Sequence, residues 1–260
     1  MQVAIITGAG SGIGLGTAKM LYDAGMAVVG VGRDAAKLAD LEKTIADPER
    51  VATLSIDVTA DDAPEKIVAL ALQRFGRLDF LINNAGAGSP KPLHETDDET
   101  LDYFLNLMLR APFRLCREAI VHMGEGCGIV NVTSTYAMIG GRRGGAYSAA
   151  KGGLGAFTQH IACDYGPKGI RANCVAPGVT MTDMVRHRFE DEMFKRVNVE
   201  TTPFPRLGEV EDVASTIAFL CSPGAAFING QTIVVDGGWT TTKYLSPRAL
   251  TTKWVEADPE

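Results

Sequence analysis

The chain has 260 residues, of which 46% are hydrophobic and 22% charged, a globular composition that can bury a core within one α/β domain. A formal charge of −6 without any basic stripe argues against a nucleic-acid partner, because phosphate backbones are bound through clustered Lys and Arg. No apolar run approaches the roughly 20 residues of a membrane span, and residues 1–6 lack the basic start and cleavage site of a secretory signal; no membrane association and a cytoplasmic location are expected.

In chain order, short β-rich runs alternate with longer helix-period runs. Strands are predicted over 2–7, 27–32, 51–57, 79–83, 128–133, 171–175 and 231–235,. Helices are predicted over 13–24, 35–46, 61–75, 97–123, 147–165 and 210–220, with Gly25, Gly76 and Gly166 near three of their ends,. Ile5-Ile6 and Val28-Val29 are apolar on consecutive positions, as in a parallel sheet covered on both faces. The expected fold is therefore α/β: a doubly wound, parallel, seven-stranded sheet with helices on both faces, in a single domain. That domain is expected over 1–239. It includes a flap over 180–206, rich in charge and methionine, and is followed by a polar tail over 240–260,.

Five scattered cysteines, odd in number and without C-x-x-C spacing, read as free thiols in a reducing compartment. The histidines His94, His122, His160 and His187 are isolated, so no metal is predicted.

The first predicted strand runs into Gly8-Ala9-Gly10-Ser11-Gly12-Ile13-Gly14 and then into a helix. In that context glycines bring the backbone close to a diphosphate at a helix N-terminus. A structural tight turn is the plain alternative. A P-loop is excluded, because Lys19 has neither the preceding Gly nor the following Ser or Thr,.

Thr7-Gly8-Ala9-Gly10-Ser11-Gly12-Ile13-Gly14 resembles the TGxxxGxG fingerprint of the short-chain dehydrogenase/reductase family. Further landmarks follow in order: Asp57-Val58, Asn83-Asn84-Ala85-Gly86, Asn106, Ser134, Tyr147-Ser148-Ala149-Ala150-Lys151 and Pro177-Gly178. The resemblance spans residues 2 to about 238 and implies a Rossmann-type dinucleotide fold.

Tyr147 and Lys151 are four apart in a predicted helix and share one face. A phenol of reference pKa about 10 is a poor acid/base group near neutrality, and a neighbouring ammonium favours its phenolate. Lys151 is expected to supply that field. Ser134 closes a strand at the edge where ligands sit in parallel sheets, and its hydroxyl can bond a substrate oxygen and Tyr147 together. The resemblance implies Tyr147 as acid/base, Lys151 also on the nicotinamide ribose, Ser134 orienting substrate and Asn106 holding a proton-relay water. It further implies that Asp57, Val58 and Asn84 line the adenine-ribose side of the dinucleotide groove, that Ala85 and Gly86 bind the cofactor with them, and that Pro177, Gly178, Thr180 and Thr182 close around the nicotinamide amide. For Asn83, turn chemistry is an equal reading.

The implied activity is an NAD(P)-dependent oxidoreductase that moves a hydride between nicotinamide and an alcohol or ketone carbon. Two rivals stand beside it: the same fold running epimerisation or dehydration, and a non-catalytic dinucleotide sensor. The resemblance also implies NADP rather than NAD: in that family the residue ending the second strand contacts the adenine ribose, through an acidic side chain where NAD is used, and here it is Gly32, followed by Arg33,. Ser11, where many NADP-preferring members of the family carry a basic residue, and Asp34, able to reach the ribose, weigh the other way. The substrate, a small alcohol or carbonyl compound, is expected to meet 87–93, 137–143 and the flap, with Arg142 or Arg143 facing any anionic group. The apolar faces of the helices over 97–123 and 147–165 suggest, with the resemblance, a homotetramer, or failing that a dimer.

Overall fold

The computed structural model describes residues 1–88 and 91–244. Residues 89 and 90 of the expected substrate lining, and 245–260 of the expected tail, lie outside the described residues.

The strands are β1 (Val3–Thr7), β2 (Ala27–Gly32), β3 (Val51–Ser55), β4 (Phe80–Asn83), β5 (Gly128–Val132), β6 (Arg171–Pro177) and β7 (Thr232–Val235). All pairings are parallel, in the order β3-β2-β1-β4-β5-β6-β7. The helices are α1 (Gly12–Asp23), α2 (Ala35–Ile45), α3 (Ala63–Phe75), α4 (Asp98–Leu105), α5 (Ala111–Ala119), α6 (Gly145–Tyr165), α7 (Asp183–Arg186), α8 (Glu192–Asn198) and α9 (Val210–Leu220).

Strand alternation sends Val3 and Ile5 to one face of β1, and Ala4 and Ile6 to the other. The first pair packs with Ile67, Leu115 and Ile161 under α3, α5 and α6. The second packs with Leu21, Leu41 and Ile217 under α1, α2 and α9. Both faces are thus dry, which is why the strands carry continuous apolar runs. The chain reverses direction across the sheet between β1 and β4, and the crevice at their C-terminal ends is the usual ligand position in such folds.

One predicted element is divided. The helix expected over 97–123 consists of α4, a π-helical turn at Asn106–Arg110, α5 and a short 3₁₀ turn at Ile120–His122. Pro112 lacks the N–H that an α-helix would direct to the Met108 carbonyl, and Ala111 N–H reaches back five residues to Asn106 O,.

Beneath the crevice a polar chain crosses the core. Asn83 Nδ2 donates to Asn131 Oδ1 at 2.8 Å, and Asn131 Nδ2 donates to Thr158 Oγ1 at 2.8 Å. Cys174 Sγ donates to the same hydroxyl at 3.1 Å. Asn83 is therefore neither a turn residue nor a groove residue. Its buried amide ties β4 to β5 and, through Thr158, to α6.

Candidate active site

The loop from Gly8 to Gly14 joins β1 to α1 and has a shape only glycine allows at two points. Gly8 adopts φ +70°. A Cβ on Gly14 would lie 2.1 Å from the Gly8 carbonyl oxygen, so that turn of α1 packs directly on the loop. Asn84 braces the loop from β4: its Nδ2 donates to Thr7 O at 2.9 Å, and its N–H and that of Ala85 both donate to Thr7 Oγ1. Ser11 is the N-cap of α1 in extended conformation and makes no capping bond with its side chain. The result is a backbone cradle at a helix N-terminus, which fits the diphosphate of a dinucleotide. Gly10 and Gly12 keep the loop low on its outer side. A Cβ on Gly10 would meet Lys37 Cβ at 2.9 Å, and one on Gly12 would meet the Thr182 methyl at 3.2 Å. Ile13 is half-buried and packs into the core beneath.

Three of the four expected catalytic side chains converge at the end of β5. Ser134 follows the strand by two residues, and its Oγ accepts from Tyr136 N–H at 3.2 Å. It also hydrogen-bonds the Tyr147 hydroxyl. Lys151, one turn further along α6, is buried, and its Nζ donates to Val132 O at 2.6 Å. A Cβ on Gly86 would lie 3.7 Å from that ammonium, so the strand that braces the glycine loop also borders Lys151.

The electrostatics differ from the sequence expectation. Tyr147 is half-buried as a residue, and burial of its hydroxyl raises its pKa above the ordinary phenol value. The bond to Ser134 favours the phenolate, whereas the nearby Tyr136 phenol opposes it. Lys151 is not among the groups that shift Tyr147. Its ammonium is turned to a backbone carbonyl, and burial pushes its own pKa down to about 8, with Cys174 nearby acting the other way. The Ser134 hydrogen bond is thus the contact that favours the Tyr147 phenolate, with the Lys151 ammonium turned to a strand carbonyl beside it,.

Asn106 does not join this cluster. It opens the π-helical turn, and its Oδ1 accepts from Arg110 Nη1 at 3.3 Å. At the other end of the crevice, Asp57 Oδ1 accepts from Thr59 N–H and Oγ1, at 2.9 and 2.7 Å. Burial pushes the Asp57 carboxyl up, but the Thr59 bonds and the charge of Arg33 outweigh it and hold it below the usual range. Arg33 is exposed and 3.8 Å from Asp57, while Val58 packs on both the sheet-side core and the Phe104 cluster. Asp34 does not turn to the ribose position, because its carboxylate caps α2 at Ala36 and Lys37.

Pro177 ends β6, and Gly178 lies against Asp236. Thr180 is buried and pairs with Gly208 in a single parallel bridge that closes the base of the flap. Thr182 is the residue before α7 and rests on Gly12. The flap holds α7, a 3₁₀ turn at His187–Glu190 and α8. Its charge-rich run has an apolar centre that the sequence reading did not find: Phe194 is buried and meets Phe189 edge-on at 5.1 Å.

Sequence reasoning also missed Lys37, Tyr136 and Trp239. Lys37 comes to the glycine loop only through the packing of α2. Tyr136 lies two residues after Ser134, a spacing that signals proximity but not direction, and its ring meets Trp239 edge-on at 5.7 Å. Arg142 and Arg143 are both exposed.

With this geometry in view, the comparisons with known proteins are specific. The profile of the family described as Enoyl-(Acyl carrier protein) reductase matches residues 8–240. A cis-4-hydroxycyclohexanecarboxylate dehydrogenase of Sinomonas cyclohexanicum is 38% identical over 244 residues, covering 92% of this chain and 96% of its own. An A-factor type gamma-butyrolactone 1'-reductase of Streptomyces virginiae is 36% identical, covering 92% and 95%. Among solved structures, a short chain dehydrogenase of Burkholderia cenocepacia in complex with NADP superposes with a TM-score of 0.85 at 30% identity, covering 92% and 97% of the two chains. A 3-ketoacyl-(acyl-carrier-protein) reductase of Brucella melitensis complexed with NADH gives 0.84 at 32%, covering 92% and 98%.

The chain belongs to the short-chain dehydrogenase/reductase family. It is an NAD(P)-dependent oxidoreductase acting on alcohol and carbonyl groups.

Proposed function

We propose that this enzyme interconverts a secondary alcohol and a ketone, with NADP(H) as the favoured coenzyme. The observation that carries the reading is the meeting of Ser134, Tyr147 and Lys151 at the end of β5, beside the glycine cradle. When bound, the dinucleotide supplies or accepts the hydride at nicotinamide C4. The cradle from Gly8 to Gly14 holds its diphosphate, with backbone N–H groups as donors. Arg33, Asp57 and Val58 border the adenosine. Asn84 borders the adenine-ribose side with them, Ala85, Gly86 and Lys151 the nicotinamide ribose, and Pro177, Gly178, Thr180 and Thr182 the nicotinamide amide.

Ser134 donates to the substrate oxygen and fixes its position. On reduction, the Tyr147 hydroxyl gives its proton to that oxygen; on oxidation, the phenolate takes it back. A raised phenol pKa suits the first direction at neutral pH, because the proton is present to be given. Lys151 keeps positive charge near the reacting oxygen, and Asn106, released from Arg110, holds the water that replaces the proton.

The preference for NADP rests on Arg33, whose exposed partner Asp57 is easily exchanged for a 2′-phosphate. Lys37, above Gly10, adds a second cation on the same side, and Asp34 is committed to its cap. The names of two relatives, a cis-4-hydroxycyclohexanecarboxylate dehydrogenase and a gamma-butyrolactone 1'-reductase, support beginning a substrate screen with cyclic alcohols and carbonyl compounds. The catalytic unit is taken as 1–239 with its flap at 180–206, followed by a tail over 240–260. It assembles as a homotetramer in the cytoplasm, in keeping with five free thiols.

The test is Tyr147→Phe, which keeps the ring and removes the proton. Turnover should fall about 10²- to 10⁴-fold, while NADPH still binds within a factor of about two. Near-native kcat with a ketone that the native enzyme reduces would overturn the assignment.

A further inference from the structure

Tyr147 and Lys151 lie four residues apart on α6, and a pair of apolar residues with the same spacing backs them from the helix opposite. Phe104, on α4, meets the Tyr147 ring edge-on, with 6.3 Å between centroids and 88° between planes. Met108, four residues further on in the π-helical turn, reaches the space beside Lys151. A Cβ on Gly86 would lie 3.4 Å from Met108 Sδ and 3.7 Å from Lys151 Nζ, so the sulfur and the ammonium border one point. Phe104 and Met108 are buried in a cluster with Leu107, Ala146 and Ala150.

A thioether is a poor neighbour for a buried charge. An ammonium has three N–H donors, and methionine sulfur is a weak acceptor. Lys151 gives one donor to Val132 O at 2.6 Å. Donors left without an oxygen in a dry site are costly, so their place beside a sulfur needs a reason. Cys174 on β6 is the titratable group that acts on Lys151. The other ionisable groups on the elements around it turn elsewhere. Tyr147 bonds Ser134, the Tyr136 ring packs on Trp239, and Arg110 of the π-helical turn donates to Asn106. Asp98, Glu99 and Asp102 of α4 are solvent-exposed.

We infer that Met108 is a positioning residue of the active site: its thioether closes the floor beneath Lys151 against water, so that the ammonium keeps its free N–H groups for the coenzyme ribose. The inference rests on the reading of Lys151 given above. Burial is what lowers the Lys151 pKa to about 8, and Met108 supplies part of that burial. The same wall sets the upper pH limit of ketone reduction, because the positive charge near the reacting oxygen is lost when Lys151 gives up its proton. Met108 acts through Lys151 and takes no part in the hydride or proton steps.

The first measurement is independent of turnover. A lysine whose pKa is lower in the folded than in the unfolded chain makes stability rise with pH between the two values, here from about 8 to 10.5,. Urea unfolding is followed across that window for the native protein, Met108→Leu, Met108→Gln and Met108→Ala. Gln brings an amide oxygen to the ammonium, and Ala leaves room for a water. Both should move the onset of the rise up by about one pH unit, whereas Leu, which keeps the wall apolar, should leave it in place. In a Lys151→Met background all of them should follow one pH dependence, whatever their absolute stabilities. The second measurement is the pH profile of NADPH-dependent ketone reduction. Its falling limb should move up by the same amount in Met108→Gln and stay where it is in Met108→Leu.

An onset that Met108→Gln and Met108→Ala both leave unchanged, or that Met108→Leu moves as far as they do, overturns the inference. So does a difference in pH dependence that persists once Lys151 is replaced. If no ketone is reduced at any pH, the oxidoreductase reading fails, and the unfolding series still decides the role of Met108.

Discussion

Lys151 is the residue where function and stability oppose each other most directly. It is buried, and its pKa falls from 10.5 to about 8, which corresponds to roughly 3 kcal/mol against the charged form. Because the folded value is depressed, the unfolded chain binds the extra proton between the two values. The penalty is therefore complete below pH 8 and fades as pH rises toward 10.5. The Val132 bond returns about 1 kcal/mol of it. Lys151→Met should accordingly unfold at higher denaturant at pH 7, with a gain of about 2 kcal/mol, and the gain should vanish by pH 10; a difference independent of pH would mean that charge burial is not its source. At the coenzyme edge, Gly32 leaves room for a side chain, since an added Cβ would make only ordinary contacts with Leu38 at 3.7 to 4.0 Å. Arg33→Ala should lower kcat/KM for NADP about tenfold or more and leave NAD almost unchanged, and Gly32→Asp should invert the preference. Steady-state kinetics with both coenzymes decide this, and an Arg33→Ala enzyme impaired equally with both would refute it.

At the scale of elements, the glycine loop and the flap behave oppositely. The loop is determined by contact distances with no slack. Gly14→Ala would place a methyl 2.1 Å from Gly8 O and 2.6 Å from Asn84 Nδ2, so the brace from β4 and the start of α1 cannot both stay in place. Dinucleotide affinity should drop by more than tenfold and stability by about 2 kcal/mol, measured by NADPH titration and urea unfolding; native-like binding would remove the cradle from the coenzyme site. The flap is tied at its base by the Thr180–Gly208 bridge and by Met181 N–H to Gly208 O at 2.8 Å. Above that base it packs on itself through Phe189 and Phe194 more than on the sheet. An element with its own small centre can move as a unit, as a flap that closes over a cleft requires.

At the scale of the whole molecule, the helices over one face of the sheet leave apolar side chains uncovered among the described residues. Phe113 on α5 stacks on Phe157 of α6 at 4.5 Å, with 28° between the rings, yet stays 45% exposed; Val121 beyond it is 74% exposed. Helices that have already buried one face against the sheet gain nothing from such residues unless another chain covers them. Light scattering at micromolar protein should give the mass of four chains, and Phe113→Glu should lower it; a monomer at that concentration would remove the claim.

The sequence by itself determined the alternation of strands and helices, the parallel sheet and the order of the family landmarks. These depend on local periodicity and on glycines whose spacing is rigid over a few residues. It also brought Tyr147 and Lys151 to one face, because four residues in a helix leave little freedom. Only the tertiary structure decided where their polar ends went: Lys151 to a strand carbonyl, Tyr147 to Ser134, Asn106 to Arg110 across a π-helical turn. It likewise made Asn83 a core amide and seated Lys37 over Gly10 and Arg188 on Phe194. In each case the partner lies on the next turn, the next strand or another element. The balance of desolvation against hydrogen bonding that selects it exists only once both sides are packed.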